Sequence, residues 1–245
     1  MEKSLVIIPT YNERENILPM ITELFSLYPK LHVLIIDDNS PDGTALLVED
    51  LILKFPTQLH LLKREGKQGL GTAYLKGFRW SLDKDFDFIF EMDADFSHPP
   101  KDLIRLYEAC KNGADVSVGS RYAKGGKVKN WPLNRVLMSY FASVYVRMIT
   151  WLPVKDTTAG YVCYTKKVLD TIDLHKIRFV GYAFQIEMKY ATWKCGFKIK
   201  EIPITFTDRK EGVSKMSKGI FKEAIKGVLK MRFETKKNFY LNKIS

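Results

Sequence analysis

Residues Phe86–Pro99 read FDFIFEMDADFSHP and couple a short apolar run to a pair of acids. Phe88-Ile89-Phe90, bounded by polar residues, predicts a buried strand. The run ends in Met92-Asp93-Ala94-Asp95, so two carboxylates one residue apart sit where the strand stops. Side chains alternate faces along extended backbone, which lets Asp93 and Asp95 point to one side. Two carboxylates aimed at one point repel unless a cation lies between them. Mg²⁺ or Mn²⁺, held by one or two carboxylates and by substrate phosphates, suits such a pair. A lone Asp-x-Asp is also what a strand followed by an acidic turn looks like, so the rest of the chain decides.

On both sides of this segment, apolar runs alternate with helical spacing. Residues 4–8, 31–36, 59–62, 86–92 and 115–118 read as strands, and 15–28, 45–55, 72–82 and 101–112 as helices. Five strands alternating with four helices predict an α/β fold with a mostly parallel central sheet and helices on both faces. The runs do not alternate apolar with polar residues, as expected when both faces of a sheet are covered. Ligands of such sheets bind beyond the carboxyl ends of the strands. Those ends carry Pro9, Tyr11 and Glu13, then Asp37 and Asp38, then Asp93 and Asp95. Helix capping by Ser40, Asp42 or Thr44 would account for one such end, less easily for three converging. Gly66, Gly69 and Gly71 do not make a dinucleotide fingerprint, which would follow the first strand, and no Walker A motif is present. These glycines are expected to let the loop before the next helix turn tightly.

The second half differs in character. Gly119-Ser120-Arg121-Tyr122 follows the fifth strand, 124–130 reads as a Gly/Lys loop, and 131–152 as a largely apolar helix with Arg135 near its start. A polar loop, 156–161, leads into 162–164; a helix is expected to about residue 194, then extended segments at 197–202 and 204–206. Residues 210–217 read as a polar loop containing Lys215. The division expected is a catalytic domain over 1–217 and a basic amphipathic helix and tail over 218–245. Net charge is +11, and residues 209–245 hold eleven Lys/Arg against three Glu. That balance points to an anionic partner: nucleic acid, a phosphorylated substrate or a membrane surface. A helix with Ile220, Phe221, Ala224, Ile225, Val228 and Leu229 on one side and lysines every four residues can lie on an anionic bilayer, or pack on the domain with its lysines in water. Three scattered cysteines and four scattered histidines argue against a disulfide framework or a zinc site. Neither a signal peptide nor a transmembrane span is evident, which predicts a cytoplasmic location.

With IPTYNE, DDNSPDGT, MDADFSHPP, GSRY and FTDRKEGVSK in order, the chain resembles the family 2 glycosyltransferases of the GT-A fold. Within them it resembles the dolichol-phosphate (polyprenol-phosphate) mannose synthases of the catalytic-domain-only type. The resemblance implies inverting transfer of mannose from GDP-mannose to a polyprenyl phosphate on the cytoplasmic face of a membrane. It implies Pro9, Tyr11, Glu13, Ile36 and Asp38 in the nucleotide pocket. Asp93 and Asp95 face the Mg²⁺ or Mn²⁺ ion and the diphosphate, with Ala94 and Ser97 beside them. Arg209 and Lys215 close over the donor diphosphate, and Arg121 and Arg135 take the acceptor phosphate. Membrane contact is expected through the basic tail helix and the 131–152 helix, with a membrane partner subunit as a further expectation. A phosphate monoester is already a dianionic nucleophile at neutral pH, its second pKa being about 6, so no general base is required and Glu187 is not assigned as one.

Ala159 and Val162 stand where the family often has Ser and Arg, which bears on acceptor contacts more than on the donor site. The Gln-x-x-Arg-Trp signature of the processive polysaccharide synthases is missing. The alternatives are a polyprenyl-phosphate transferase using a UDP-sugar (glucose or N-acetylhexosamine) and a nucleic-acid-binding module. The aliphatic helical spacing of the tail, and acidic strand ends that would repel phosphate without a metal, argue against the latter.

Overall fold

Leu5 and Ile7 of β1 (Ser4–Thr10) face one apolar core, Val6 and Ile8 face another, and all four are fully buried. That is the consequence of placing an all-apolar extended segment in the middle of a sheet covered on both sides. The computed structural model describes residues 1–181, 183–208, 218–235 and 238–242. β1, β2 (His32–Asp37), β3 (Leu59–Lys63) and β4 (Phe88–Glu91) pair in parallel in the order β3-β2-β1-β4. Between them run α1 (Arg14–Leu27), α2 (Thr44–Lys54) and α3 (Leu70–Leu82); α4 (Leu103–Lys111) then leads to β5 (Val116–Ser120). One core packs α3, α6 (Lys166–Thr171), α7 (Ala183–Lys194) and α8 (Lys218–Glu234) on the sheet, and the other packs α1, α2 and α4.

The parallel order is broken once. β7 (Val162–Thr165) inserts between β4 and β5 and runs antiparallel to both, with Phe90 opposite Cys163 and Val118 opposite Val162. β8 (Ile199–Pro203) pairs in parallel with β5 at the edge. Residues 124–130, expected to be loop throughout, contain β6 (Lys127–Lys129). It pairs with β9 (Thr205–Thr207) in a separate two-stranded ribbon, which leads on to α5 (Leu133–Thr150).

Two expectations are corrected. β4 ends at Glu91, so strand alternation does not orient Asp93 and Asp95. They lie in an irregular loop in which Phe96 takes a φ of 60°. Local hydrogen bonds shape it: Asp95 Oδ1 accepts from the Ser97 amide at 3.1 Å, and His98 Nδ1 accepts from the Asp93 amide at 3.1 Å. The glycines before α3 also divide by role. Gly69 has a φ of 98°, a conformation that side-chain-bearing residues rarely adopt. Gly71 lies inside α3, where it is needed for close approach: an added Cβ would meet Phe179 O and Phe184 Cβ, each at 2.8 Å.

The basic α8 packs on the domain. Val228 and Met231 are buried in the same core as α3 and α7, while Lys226, Leu229, Lys230 and Phe233 face solvent. Among the described residues, no helix is long and apolar enough to cross a membrane.

Gly71→Ala is expected to destabilise the fold by about 1–3 kcal/mol, the usual cost of overpacking. Urea denaturation measures this; an unchanged midpoint would show that the 179–184 segment yields freely.

Candidate active site

The loop after β4, the turn after β5, the segment before β7 and the start of α7 all open at the carboxyl edge of the sheet. There they enclose a cavity of about 460 Å³. Its polar lining includes Asp93, Asp95, Ser97, His98, Arg121 and Gln185. Its apolar lining includes Met138, Phe141, Ala142, Tyr145 and Val146 of α5, a helix that also contributes Arg135 and Ser139, and Val228 of α8.

The polar lining rests on buried charge. Asp156, with no exposure, accepts from Arg121 Nε at 2.8 Å, from Nη2 at 2.6 Å and from the Arg121 amide at 2.8 Å. Arg121 Nη2 also reaches Thr158 Oγ1, and the rings of Tyr122, Trp131 and Phe206 surround the guanidinium at 5.3–5.5 Å. Glu201 of β8 accepts from Ser120 Oγ and from the amides of Lys155 and Asp156, which fixes the loop that presents Asp156. Arg135 stacks over Trp131 at 4.0 Å and pairs with Asp208 at 3.0 Å.

Deeper still, Glu91 and Lys189 are both fully buried. Burial pushes the Glu91 carboxyl up and the Lys189 ammonium down, and the charge of each draws the other back. Lys189 donates to Ala159 O at 2.6 Å and to Gln185 O at 3.0 Å. His98 stacks on Tyr161. Its Nδ1 accepts from the Asp93 amide and so carries no proton, and burial pushes its pKa down to about 4 against the pull of Asp95. The 3.9 Å approach of His98 to the Asp93 carboxylate is therefore not an ion pair at neutral pH.

The residues expected in the nucleotide pocket occupy the neighbouring strand ends. Asp38 gives both oxygens to Arg64, at 2.5 and 2.7 Å, and both groups are buried. Arg64 also donates to Thr72 Oγ1, tying the end of β2 to α3. Asp37 accepts from Thr10 Oγ1 and from the amide and hydroxyl of Ser40. Lys67 lies 5.1 Å from the Tyr11 ring centre, Glu13 Oε2 accepts from Asn16, and Pro9 pairs opposite Ile36, one residue before the β1–β2 pairing ends at Thr10 and Asp37. The Ile36 side chain is wholly in the core and Ala94 is buried. The structure thus brings Asp93, Asp95, Ser97, Arg121 and Arg135 onto one cavity, with Tyr11, Glu13 and Asp38 at the ends of adjoining strands. Arg209 and Lys215 lie outside the described residues. Glu187 is not a helix-surface carboxylate: it is fully buried and accepts from the amides of Arg178 and Phe179 and from the Tyr240 hydroxyl.

Asp156, Glu91, Lys189 and Gln185 escaped sequence reasoning. The available signal was α7 itself: residues 183–192 are buried on every side, so its charged and amide groups have to find partners inside the protein.

Residues 5–173 match the family model Glycosyl transferase family 2. The chain is 46% identical over 224 residues to polyprenol monophosphomannose synthase of Mycolicibacterium smegmatis, covering 91% of this chain and 84% of the relative. It is 45% identical to undecaprenyl-phosphate mannosyltransferase of Micrococcus luteus, covering 91% of each. It is 37% identical to dolichol-phosphate mannosyltransferase of Pyrococcus furiosus, covering 87% of this chain and 59% of that protein. A solved structure of glucosyl-3-phosphoglycerate synthase from Mycobacterium tuberculosis, in complex with Mn²⁺, UDP and glucosyl-3-phosphoglycerate, aligns with a TM-score of 0.68 at 16% identity. The alignment covers 94% of this chain and 79% of that one, and at this identity the likeness is one of fold.

Asp156→Ala leaves the Arg121 guanidinium buried without its carboxylate. A loss of about 3–5 kcal/mol in unfolding free energy is expected, the scale for removing one partner of a buried ion pair. Chemical denaturation reads it directly, and a loss below about 1 kcal/mol would show that the pair does not organise this edge.

Proposed function

Because the chain belongs to glycosyl transferase family 2 and has the GT-A fold, we propose that it moves mannose from GDP-mannose to a polyprenyl phosphate at a membrane surface, with inversion. One observation carries this reading: a single cavity is lined both by paired carboxylates and arginines and by apolar side chains of α5. A substrate with an anionic head and a hydrocarbon tail matches both kinds of lining. The names of the relatives point to the same acceptor class.

The chemistry asks for charge management rather than proton abstraction. A phosphate oxygen of the acceptor attacks the anomeric carbon, the bond from that carbon to the nucleoside diphosphate breaks, and GDP leaves. The acceptor phosphate is already dianionic near neutral pH, which agrees with the structural role of Glu187. Arg121, held by Asp156, supplies fixed positive charge, and Arg135, more accessible, reaches the phosphate. By resemblance, Arg209 and Lys215 close over the donor diphosphate. Asp93 and Asp95 line the cavity, and Ser97 Oγ is buried there without a hydrogen-bond partner among the described residues. Two carboxylates and a hydroxyl suit a Mg²⁺ or Mn²⁺ ion that shares its shell with substrate phosphates. Such an ion, when bound, would neutralise charge on the departing diphosphate.

The exposed apolar residues support membrane contact. Leu133, Phe141, Met148 and Trp151 project from α5 or its end, and Phe233 of α8 is 80% exposed. Lys226 and Lys230 are exposed on α8, and Arg232 stacks over Trp151. Apolar side chains entering the acyl boundary with lysines at the headgroups is how an interfacial helix binds.

Transfer of labelled sugar to detergent-dispersed polyprenyl phosphate, run with GDP-mannose, UDP-glucose and UDP-N-acetylglucosamine and with a chelator, tests the reading. Metal-dependent product from GDP-mannose is expected; product from a UDP-sugar alone would overturn the mannose assignment. Asp95→Ala is expected to lower turnover roughly a hundredfold or more, the scale of losing one leaving-group stabiliser, with its melting temperature unchanged. Near-normal activity would remove the metal-site assignment.

Phe141→Glu combined with Trp151→Glu, both at exposed positions, is expected to weaken binding to anionic vesicles by about tenfold or more. Sedimentation with vesicles of mixed phosphatidylcholine and phosphatidylglycerol measures this. Undiminished binding would place the membrane-facing surface elsewhere.

A further inference from the structure

Gln185 occupies the first turn of α7 and is 2% exposed, yet it lines the cavity that holds Asp93 and Asp95. Its amide orientation follows from chemistry. Lys189 Nζ approaches Gln185 Oε1 at 3.3 Å while also donating to Ala159 O and Gln185 O. An ammonium only donates, so the amide oxygen must face it and Nε2 must face away. The three ammonium hydrogens thus meet three acceptors and pin the Gln185 side chain.

Gln185 Nε2 is buried and makes no well-formed hydrogen bond among the described residues. Glu91 draws on the Gln185 side chain through a hydrogen bond, of geometry too poor to satisfy the donor; an amide nitrogen carries two hydrogens, so at least one is left for another acceptor. An amide donor left unsatisfied in a dry interior is costly, so native interiors rarely keep one without a use for it.

The surroundings say what fills it. Gly160 lines the same cavity, and a Cβ built there would lie 3.6 Å from Gln185 Nε2 and 3.7 Å from His98 Cε1. His98 in turn holds the Asp93 amide. The absent side chain at Gly160 therefore leaves space between the Gln185 amide and the Asp93 loop. Arg121 and Arg135 line this cavity, and on the reading above they meet the phosphates. A neutral amide donor suits a neutral acceptor instead, a hydroxyl oxygen of the sugar.

We propose that Gln185 Nε2 donates a hydrogen bond to a hydroxyl of the transferred sugar in the space left by Gly160, making Gln185 a sugar-recognition residue of this site. The inference rests on the glycosyl-transfer reading above. The donor that the wild-type protein turns over, GDP-mannose on that reading, is the probe, and wild-type activity is established first; absence of transfer by the wild type would count against that reading and not against the role of Gln185.

Two variants and two probes test it. Gln185→Met is close in size and removes Nε2, leaving Lys189 its two backbone acceptors. Gly160→Ala adds a methyl at ordinary van der Waals distance from its neighbours and fills the space before the amide. Binding of the nucleotide sugar and of the free nucleoside diphosphate is measured by calorimetry with Mn²⁺ present. Both variants are expected to bind the nucleotide sugar roughly five- to fiftyfold more weakly, the range for losing a buried hydrogen bond, and the nucleoside diphosphate within about twofold of wild type. In steady state, kcat/KM for the donor falls while KM for the polyprenyl phosphate holds. Equal weakening of both nucleotide ligands would mean a structural role and overturn the proposal. So would unchanged nucleotide-sugar binding with a raised KM for the acceptor, which would assign the amide to the acceptor phosphate.

Discussion

The buried pair of Arg121 and Asp156 is the constraint on which the site depends. Asp156 precedes β7 and Arg121 follows β5, so their bidentate contact clamps the two loops beyond the end of the β5–β7 pairing. Glu201 extends the clamp to β8, and the aromatic rings around the guanidinium extend it to Trp131 and Phe206. A guanidinium held this way keeps its charge, its direction and its place beside the cavity. With both partners buried, the cost of desolvating them is met by hydrogen bonds on every side, without which such a pair would weaken the fold.

The same edge separates two kinds of surface. On one side lie acids, arginines and buried amides; on the other, the apolar face of α5 continues from the cavity wall to exposed Leu133, Phe141 and Trp151. In the proposed reaction that separation is functional. The ionic chemistry stays in a cavity where interactions are strong because water is excluded, while the hydrocarbon tail need not leave an apolar environment. A phosphate nucleophile needs no base, and the nearest buried carboxylate on α7, Glu187, is committed to the backbone of residues 178–179 and to Tyr240.

The fold was legible where periodicity is strong. Mostly apolar, non-alternating runs at residues 4–8 and 31–36 mark strands covered on both faces, and helical spacing places the helices between them. The insertion of β7 between β4 and β5 was not legible, because Val162–Thr165 is four residues long and nothing in its composition names its neighbours. The geometry of Asp93 and Asp95 was misjudged for a related reason. Strand alternation is a property of paired backbone, and the pairing stops at Glu91, after which side-chain hydrogen bonds from Asp95 and His98 shape the loop.

Sequence alone determined the strand–helix order, the acids at three strand ends, the basic tail and the family likeness, because these depend on neighbours along the chain. Tertiary structure decided which groups share the cavity. It set Arg121 on Asp156, closed Asp38 onto Arg64, buried Lys189 beneath the site and left Gln185 Nε2 beside Gly160. Those pairings join residues 26 to 35 apart or bring separate elements together. Their partners are selected by the dry interior, where each buried polar group has to meet another.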